Sequence, residues 1–157
     1  MTTQPHLTSA CATWVIHCDG SALPNPGRMG LGAVIIAPDG ARQTLSQATH
    51  TIGCNNEAEL LALMSALQFL PENVTHIELY SDSSILVAQL THPDVQAIER
   101  LAHLFNQARQ MLTRFTSVTV RWLPRHRNTE ADALARSALG LPPKLNTSAV
   151  KRARHKR

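Results

Sequence analysis

Four carboxylates stand where burial, not solvation, is expected. Asp19 closes the apolar, β-branched stretch ATWVIHCD (12–19) and is followed at once by Gly20. Asp82 closes THIELYSD (75–82) in the same way, after Ile77, Leu79 and Tyr80. Glu59 is the most informative. At 100° per residue around a helix, Ala62, Leu63, Ala66 and Leu70 fall within about 60° of it, while Glu57, Ser65 and Gln68 project from the opposite side. An unpaired buried carboxylate is costly and needs a cation, a donor or a proton. A helix N-terminus supplies about 0.3–1 kcal/mol, too little alone. Asp132 lies in the first turn of the last helix, between Ala131 and Ala133. Each acid also has a plainer role. Asp19 and Asp82 can open turns or, for Asp82, cap the next helix; Glu59 can reach past its neighbours to water; Asp132 fits a capping box with Thr129. Together, however, they are hard oxygen donors without a His or Cys partner set, a combination that suits Mg²⁺ or Mn²⁺ better than zinc. Two such ions about 4 Å apart suit in-line displacement at a phosphodiester.

The elements that must position these acids can be read from period and punctuation. A first strand runs over 12–19, and GSALPNPGRMG (20–30) reads as a turn-rich loop. A second strand covers 31–38 and closes at Pro38-Asp39-Gly40. The polar third strand, 41–51, pairs with it as a hairpin and lies at an edge. NNEAELLALMSALQFL (55–70) is the strongest helix, with Asn55 or Cys54 near its N-cap and Pro71 as its stop. A strand over 75–82, a short helix over 83–90, a break at Thr91-His92-Pro93 and a helix over 95–113 follow. A fifth strand spans 116–124, and a last helix spans 128–139, ended by Gly140. The order β-β-β-α-β-α-α-β-α predicts an α/β fold with a mixed sheet and helices on its faces. If the first and fourth strands are parallel neighbours, Asp19 and Asp82 emerge at one sheet end, where such sheets place their ligands.

The 157 residues fit one domain, expected over 13–140, between a flexible leader (1–12) and a tail (141–157). No run approaches 18 apolar residues, and the first 17 residues lack the pattern of a signal peptide. Cys11, Cys18 and Cys54 show no CxxC spacing, which points to a reducing cytoplasm. The net charge of +4 divides unevenly. Residues 140–157 carry Lys144, Lys151, Arg152, Arg154, Lys156 and Arg157 and no acid. The other 139 residues hold nine arginines and all 11 acids, a net −2. Such a tail is expected to be disordered. It would either draw phosphate backbones in a salt-dependent way or serve as a passive terminus.

Four segments carry a resemblance. DGSALPNPGRMGLGAVI (19–35), NNEAELLALMSAL (55–67), LYSDSSILV (79–87) and WLPRHRNTEADALAR (122–136) resemble, in order and spacing, the motifs of type 1 ribonuclease H, in its compact branch without the basic handle. The resemblance implies a five-stranded sheet in the order 3-2-1-4-5, with strands 1, 4 and 5 parallel. It implies an endonuclease, expected to be monomeric, that cuts the RNA strand of RNA/DNA hybrids and leaves 5′-phosphate and 3′-hydroxyl ends. Two Mg²⁺ ions, replaceable by Mn²⁺, would be held by Asp19, Glu59, Asp82 and Asp132. Asp19 would bridge both ions, Asp132 would lie on the side of the attacking water, and Glu59 and Asp82 on the leaving-group side. To choose RNA opposite DNA, a protein must sense 2′-hydroxyls without reading bases. Asn55 and Asn56 offer amides for that purpose or cap the helix, or both. Gly20, Ser21 and Asn25 would approach the minor groove closely.

Three departures stand out. Many relatives carry, just before the two asparagines, a Thr that helps hold a DNA-strand phosphate; here Cys54 replaces it with a poorer donor. The gap filled by the basic handle of longer relatives is only THPDVQA (91–97), without a basic residue, so hybrid affinity must come from elsewhere, and the tail is the obvious candidate. The loop before the last helix is the short PRHRN (124–128). There His126 could shuttle a proton, or Arg125 or Arg127 could hold phosphate with His126 a bystander; Asn128 is a further candidate substrate contact. A non-catalytic nucleic-acid-binding module on the same fold, or a nuclease for other DNA, are the competing classes.

Overall fold

The computed structural model describes residues 12–92 and 99–144. The leader up to residue 11, the start of the helix expected from 95 and the tail from 145 onward lie outside the described residues. Five strands form one sheet in the order β3-β2-β1-β4-β5: β1 (Thr13–Leu23), β2 (Gly27–Ile36), β3 (Arg42–Gly53), β4 (His76–Ser81) and β5 (Ser117–Trp122). β1, β2 and β3 pair antiparallel, whereas β1, β4 and β5 run parallel, so the expected order and directions are found. The helices are α1 (Asn55–Gln68), α2 (Ser84–Thr91), α3 (Ala102–Leu112) and α4 (Thr129–Ala138). Short 3₁₀ turns precede α3 (Glu99–Leu101) and α4 (Arg125–Arg127).

The segment 20–30 differs from its expected form. Instead of a loop it continues the ladder, with Ser21 opposite Gly30 and Leu23 opposite Arg28, and only Pro24-Asn25-Pro26 turns the chain. Its glycines read as loop signals, yet they serve packing. An added Cβ at Gly20 would lie 2.2 Å from the Ala58 carbonyl carbon of α1, and one at Gly32 would lie 2.2 Å from the Ala131 oxygen of α4. Two helix backbones therefore press on the same hairpin from opposite faces, a distance only glycine permits. The smallness of residue 20 is required by this packing.

α1 crosses β1 and β2, and its buried residues (Ala58, Leu60, Ala62, Leu63, Ala66, Leu67) cover more of its circumference than one narrow stripe. The reason is that α2 and α3 pack against its outer side, placing Phe105 and Leu101 in the same core as Ile16, Cys18, Ile77 and Leu79. Glu57 is half-buried, where water was expected, because its carboxylate lies over Gly53, in the space a side chain there would take. α4 covers the other face over β1, β2 and β3. β3 is an edge strand as expected, and its outer residues are mostly exposed.

Candidate active site

The parallel register of β1 on β4 sets His17 beside Tyr80, and two residues further on it brings Asp19 and Asp82 to the same level. Asp19 does not end its strand; it lies inside β1 opposite Gly32. Because Gly32 lets α4 settle on the sheet there, Asp132 is delivered to the same end. Asp19 is only 6% exposed and accepts a hydrogen bond from the Gly20 amide at 2.9 Å. Asp82 follows the last residue of β4. The cap of α2 is its neighbour Ser83, whose Oγ accepts from Leu86 N, so Asp82 is not used for capping. The plain role left open for Asp132 is not formed either, since α4 begins after Asn128 without a side-chain capping bond.

Asp19, Glu59 and Asp82 offer carboxylate oxygens that all lie within 4.8 Å of one another. Burial, followed by the charges of Asp82, Asp132 and Glu59, raises the Asp19 pKa well above the carboxylate range, against the pull of the Gly20 amide. Burial pushes Glu59 up to about 7, with the Asp82 charge adding to it; a hydrogen bond from Ser83 and the Arg125 charge act in the opposite direction. Asp82 is raised as well, first by burial, while Asn128 and Arg125 oppose the shift. Three carboxylates so close cannot all ionise without a counter-charge. In addition, Glu59 Oε2 is buried with no hydrogen-bond partner among the described residues. An all-oxygen donor set with an orphaned buried oxygen fits a hard divalent cation.

These acids open onto a groove of about 620 Å³, whose walls include Gly20, Ser21, Asn55, Arg125, His126, Thr129, Asp132, Pro143 and Lys144. Asp132 also lines the groove, outside the tight trio but near enough for its charge to act on Asp19, and Lys144 Nζ lies 3.3 Å from its Oδ1.

Comparison with known proteins agrees with this layout. Residues 17–138 match the reverse transcriptase-like family. The bifunctional protein Rv2228c of Mycobacterium tuberculosis is 34% identical over 134 residues, 80% of this chain. The crystal structure of RNase H1 from Halobacterium salinarum is 32% identical, with a TM-score of 0.75 over 82% of this chain and 98% of that one. LC11-RNase H1, solved in complex with RNA/DNA hybrid, is 26% identical with a TM-score of 0.73, over 81% of this chain and 96% of its own. The chain belongs to the type 1 ribonuclease H family. It spans about a third of the mycobacterial protein's length, 35%.

Within this ribonuclease H fold the other expected site residues separate into two groups. Gly20, Ser21, Asn55, Arg125 and His126 line the groove with the acids. Asn55 Oδ1 also accepts from the Ala22 amide at 2.8 Å, and Asn25 Oδ1 accepts from the Asn55 amide at 3.0 Å, so the two asparagines lock the hairpin turn onto the start of α1. Cys54 is the N-cap, its Sγ accepting from Glu57 N. Asn56, Arg127 and Asn128 are not part of the groove wall. Asn128 is 2% exposed; its Nδ2 donates to the Cys18 carbonyl at 3.0 Å and approaches Asp82 Oδ2 at 3.4 Å. It braces the acid trio from behind.

Three residues were not singled out from sequence. Arg100 donates to Cys54 Sγ at 3.0 Å, which brings a cation to the position where the sequence showed only a weak donor. Ser83 supports Glu59. Lys144 enters the groove, although it reads in sequence only as the first residue of a basic tail. For Ser83 the SDSS context carried a signal. Arg100 and Lys144 had none, because both act across the fold.

Proposed function

We propose that this chain is an endonuclease that hydrolyses the RNA strand of RNA/DNA hybrids with two divalent cations, Mg²⁺ or in its place Mn²⁺, leaving 5′-phosphate and 3′-hydroxyl ends. The observation that carries this reading is the trio Asp19, Glu59 and Asp82, gathered within 4.8 Å around an unpartnered buried carboxylate oxygen. A relative of this chain bound to RNA/DNA hybrid supports the substrate class.

Asp19, at the centre of the acids, would hold both cations; Asp132 would serve the side of the attacking water, and Glu59 and Asp82 the side of the leaving oxygen. When bound, the ions supply Lewis-acid charge to the phosphoryl oxygens and ease deprotonation of water. The chain's own groups do the rest. Gly20, Ser21 and Asn55 form a small-residue wall beside the acids, where a 2′-hydroxyl can be met by the Ser21 hydroxyl and the Asn55 amide. The tie between Asn55 and Ala22 fixes that amide before substrate arrives. Arg125, also lining the groove, would offer a guanidinium to a phosphate, and the exposed imidazole of His126 would carry a proton to or from the reacting oxygens. The basic residues of 144–157 add salt-dependent attraction to the backbone.

A cytoplasmic, monomeric enzyme is part of the same reading. No helix among the described residues is long and apolar enough to cross a membrane. The test is cleavage of sequence-matched RNA/DNA, RNA/RNA and DNA/DNA duplexes with Mg²⁺ or Mn²⁺. Preferential cutting of the RNA strand of the hybrid is expected, and equal cutting of all three, or none, would refute it.

A further inference from the structure

After α4 ends at Ala138 the chain reverses at Gly140, whose φ of +73° only glycine adopts readily, and returns along the helix it has left. Two hydrogen bonds to one residue clasp this strap. Leu141 N donates to the Arg136 carbonyl at 3.0 Å, and Arg136 Nε donates to the Pro142 carbonyl at 2.9 Å. Pro142 and Pro143 hold the strap extended. The six helical steps from Asp132 to Ala138 rise roughly 9 Å, whereas the extended segment back to Lys144 reaches roughly 20 Å. The strap is therefore long enough to carry Lys144 back to the helix start. There its ammonium group lies 3.3 Å from Asp132 Oδ1, in the groove shared with Asp19, Glu59 and Asp82. Among the described residues there are two ion pairs, and one of them falls on an acid of this site.

We propose that Lys144 is a built-in competitor for the cation at Asp132: the docked strap fills that position with an ammonium group, and a divalent ion binds there only by displacing it. This rests on the metal-site reading above. The ammonium group contacts Asp132 and its charge reaches Asp82, but it supplies one charge and no coordination, so it occupies the Asp132 position without gathering the carboxylates as a divalent ion would. Divalent ions carry twice the charge and accept several oxygen ligands at once, so they win the exchange as their concentration rises. Lys144 is itself largely exposed, with 61% of its side-chain surface free, so the competition is mild and reversible. Its effect is to raise the ion concentration at which the second cation is seated, without abolishing activity. Arg136 is the positioning residue, since it anchors the strap from which Lys144 reaches.

The experiment is Mn²⁺ binding to the full chain without nucleic acid, followed by calorimetry and by the loss of the free-ion electron paramagnetic resonance signal. Lys144→Met is expected to tighten the weaker Mn²⁺ site by about 1.5- to 5-fold, the range an exposed ion pair can supply. Lys144→Arg should restore wild-type affinity. Arg136→Met, which loosens the strap but keeps the ammonium group, should give a smaller tightening. In an Asp132→Asn background Lys144→Met should do nothing. Unchanged affinity in Lys144→Met, or the same gain with Asp132 replaced, would overturn the proposal. Failure of the wild-type chain to bind Mn²⁺ would overturn the metal reading itself and the strap with it. Circular dichroism and melting curves on each variant separate these outcomes from misfolding.

Discussion

The two sides of the groove are built differently. On one side, Asp19, Glu59 and Asp82 grow from the sheet and from the first turn of a buried helix, backed by Asn128 and the Gly20 amide. Their positions follow from β1–β4 register and from core packing, and burial together with their neighbouring like charges raises their proton affinity. On the other side, Asp132 and Lys144 meet between an outer helix and a strap, with one 3.3 Å contact and a largely exposed Lys144 side chain. The first side stores unfavourable electrostatics in a rigid frame, as a site awaiting a cation does; the second is adjustable. In the reading proposed above all four acids serve the cations, and the contrast is that the trio is fixed by the sheet and the core whereas Asp132 is open to adjustment by Lys144.

The largest effect should come from breaking the rigid side. Asp19→Asn is expected to lower cleavage of a hybrid by about 10²–10³-fold or more, by loss of charge stabilisation at the reacting phosphate. Its circular dichroism should remain native, because the amide keeps the shape and can still accept from Gly20. Retained cleavage would show that the trio is not the reacting centre. Asn128→Ala removes a buried brace, and a loss of roughly 1–3 kcal/mol is expected from the unpaired Cys18 carbonyl and the cavity. A melting temperature unchanged from wild type would show that the brace is unimportant.

Proton linkage provides a third measure. Glu59 is raised from the usual carboxylate range to about 7, so between pH 4.5 and 7 the folded chain binds more protons than the unfolded one. Stability without metal should therefore fall as pH rises through that window. Added Mg²⁺ should recover several degrees of melting temperature at pH 8 and little at pH 5. Equal recovery at both values would contradict a site where ions and protons compete for the same oxygens. The smallest effect is expected for deletion of 145–157, which keeps Lys144. A several-fold rise in KM and a shallower salt dependence, with turnover little changed, are expected if the tail adds phosphate contacts. An unchanged salt profile would make it a passive terminus.

Much of this was legible in the sequence, for reasons that differ by residue. Strand and helix identities came from hydrophobic period. Glu59 declared itself because a charge inside an apolar helical surface is costly in any fold. The hairpin at 20–30 was misread as a loop because glycine and small polar residues signal turns locally, and only the helices lying on Gly20 and Gly32 explain why they belong in a ladder. Asn128 looked like a loop residue facing substrate, but burial turns it toward Cys18 and Asp82. Arg100 and Lys144 carried no local signal.

By itself, then, the sequence determined the element order and the sheet's mixed character and singled out Glu59, since period, punctuation and the cost of burying charge are properties of short segments; Asp132 was proposed mainly through the resemblance. Only the tertiary structure decided which acids form the close trio, what braces them, and that Lys144 reaches Asp132. Those facts depend on parallel register between strands 63 residues apart in the chain and on a strap returning along its own helix. Distances of that kind are fixed by packing, which no local pattern records.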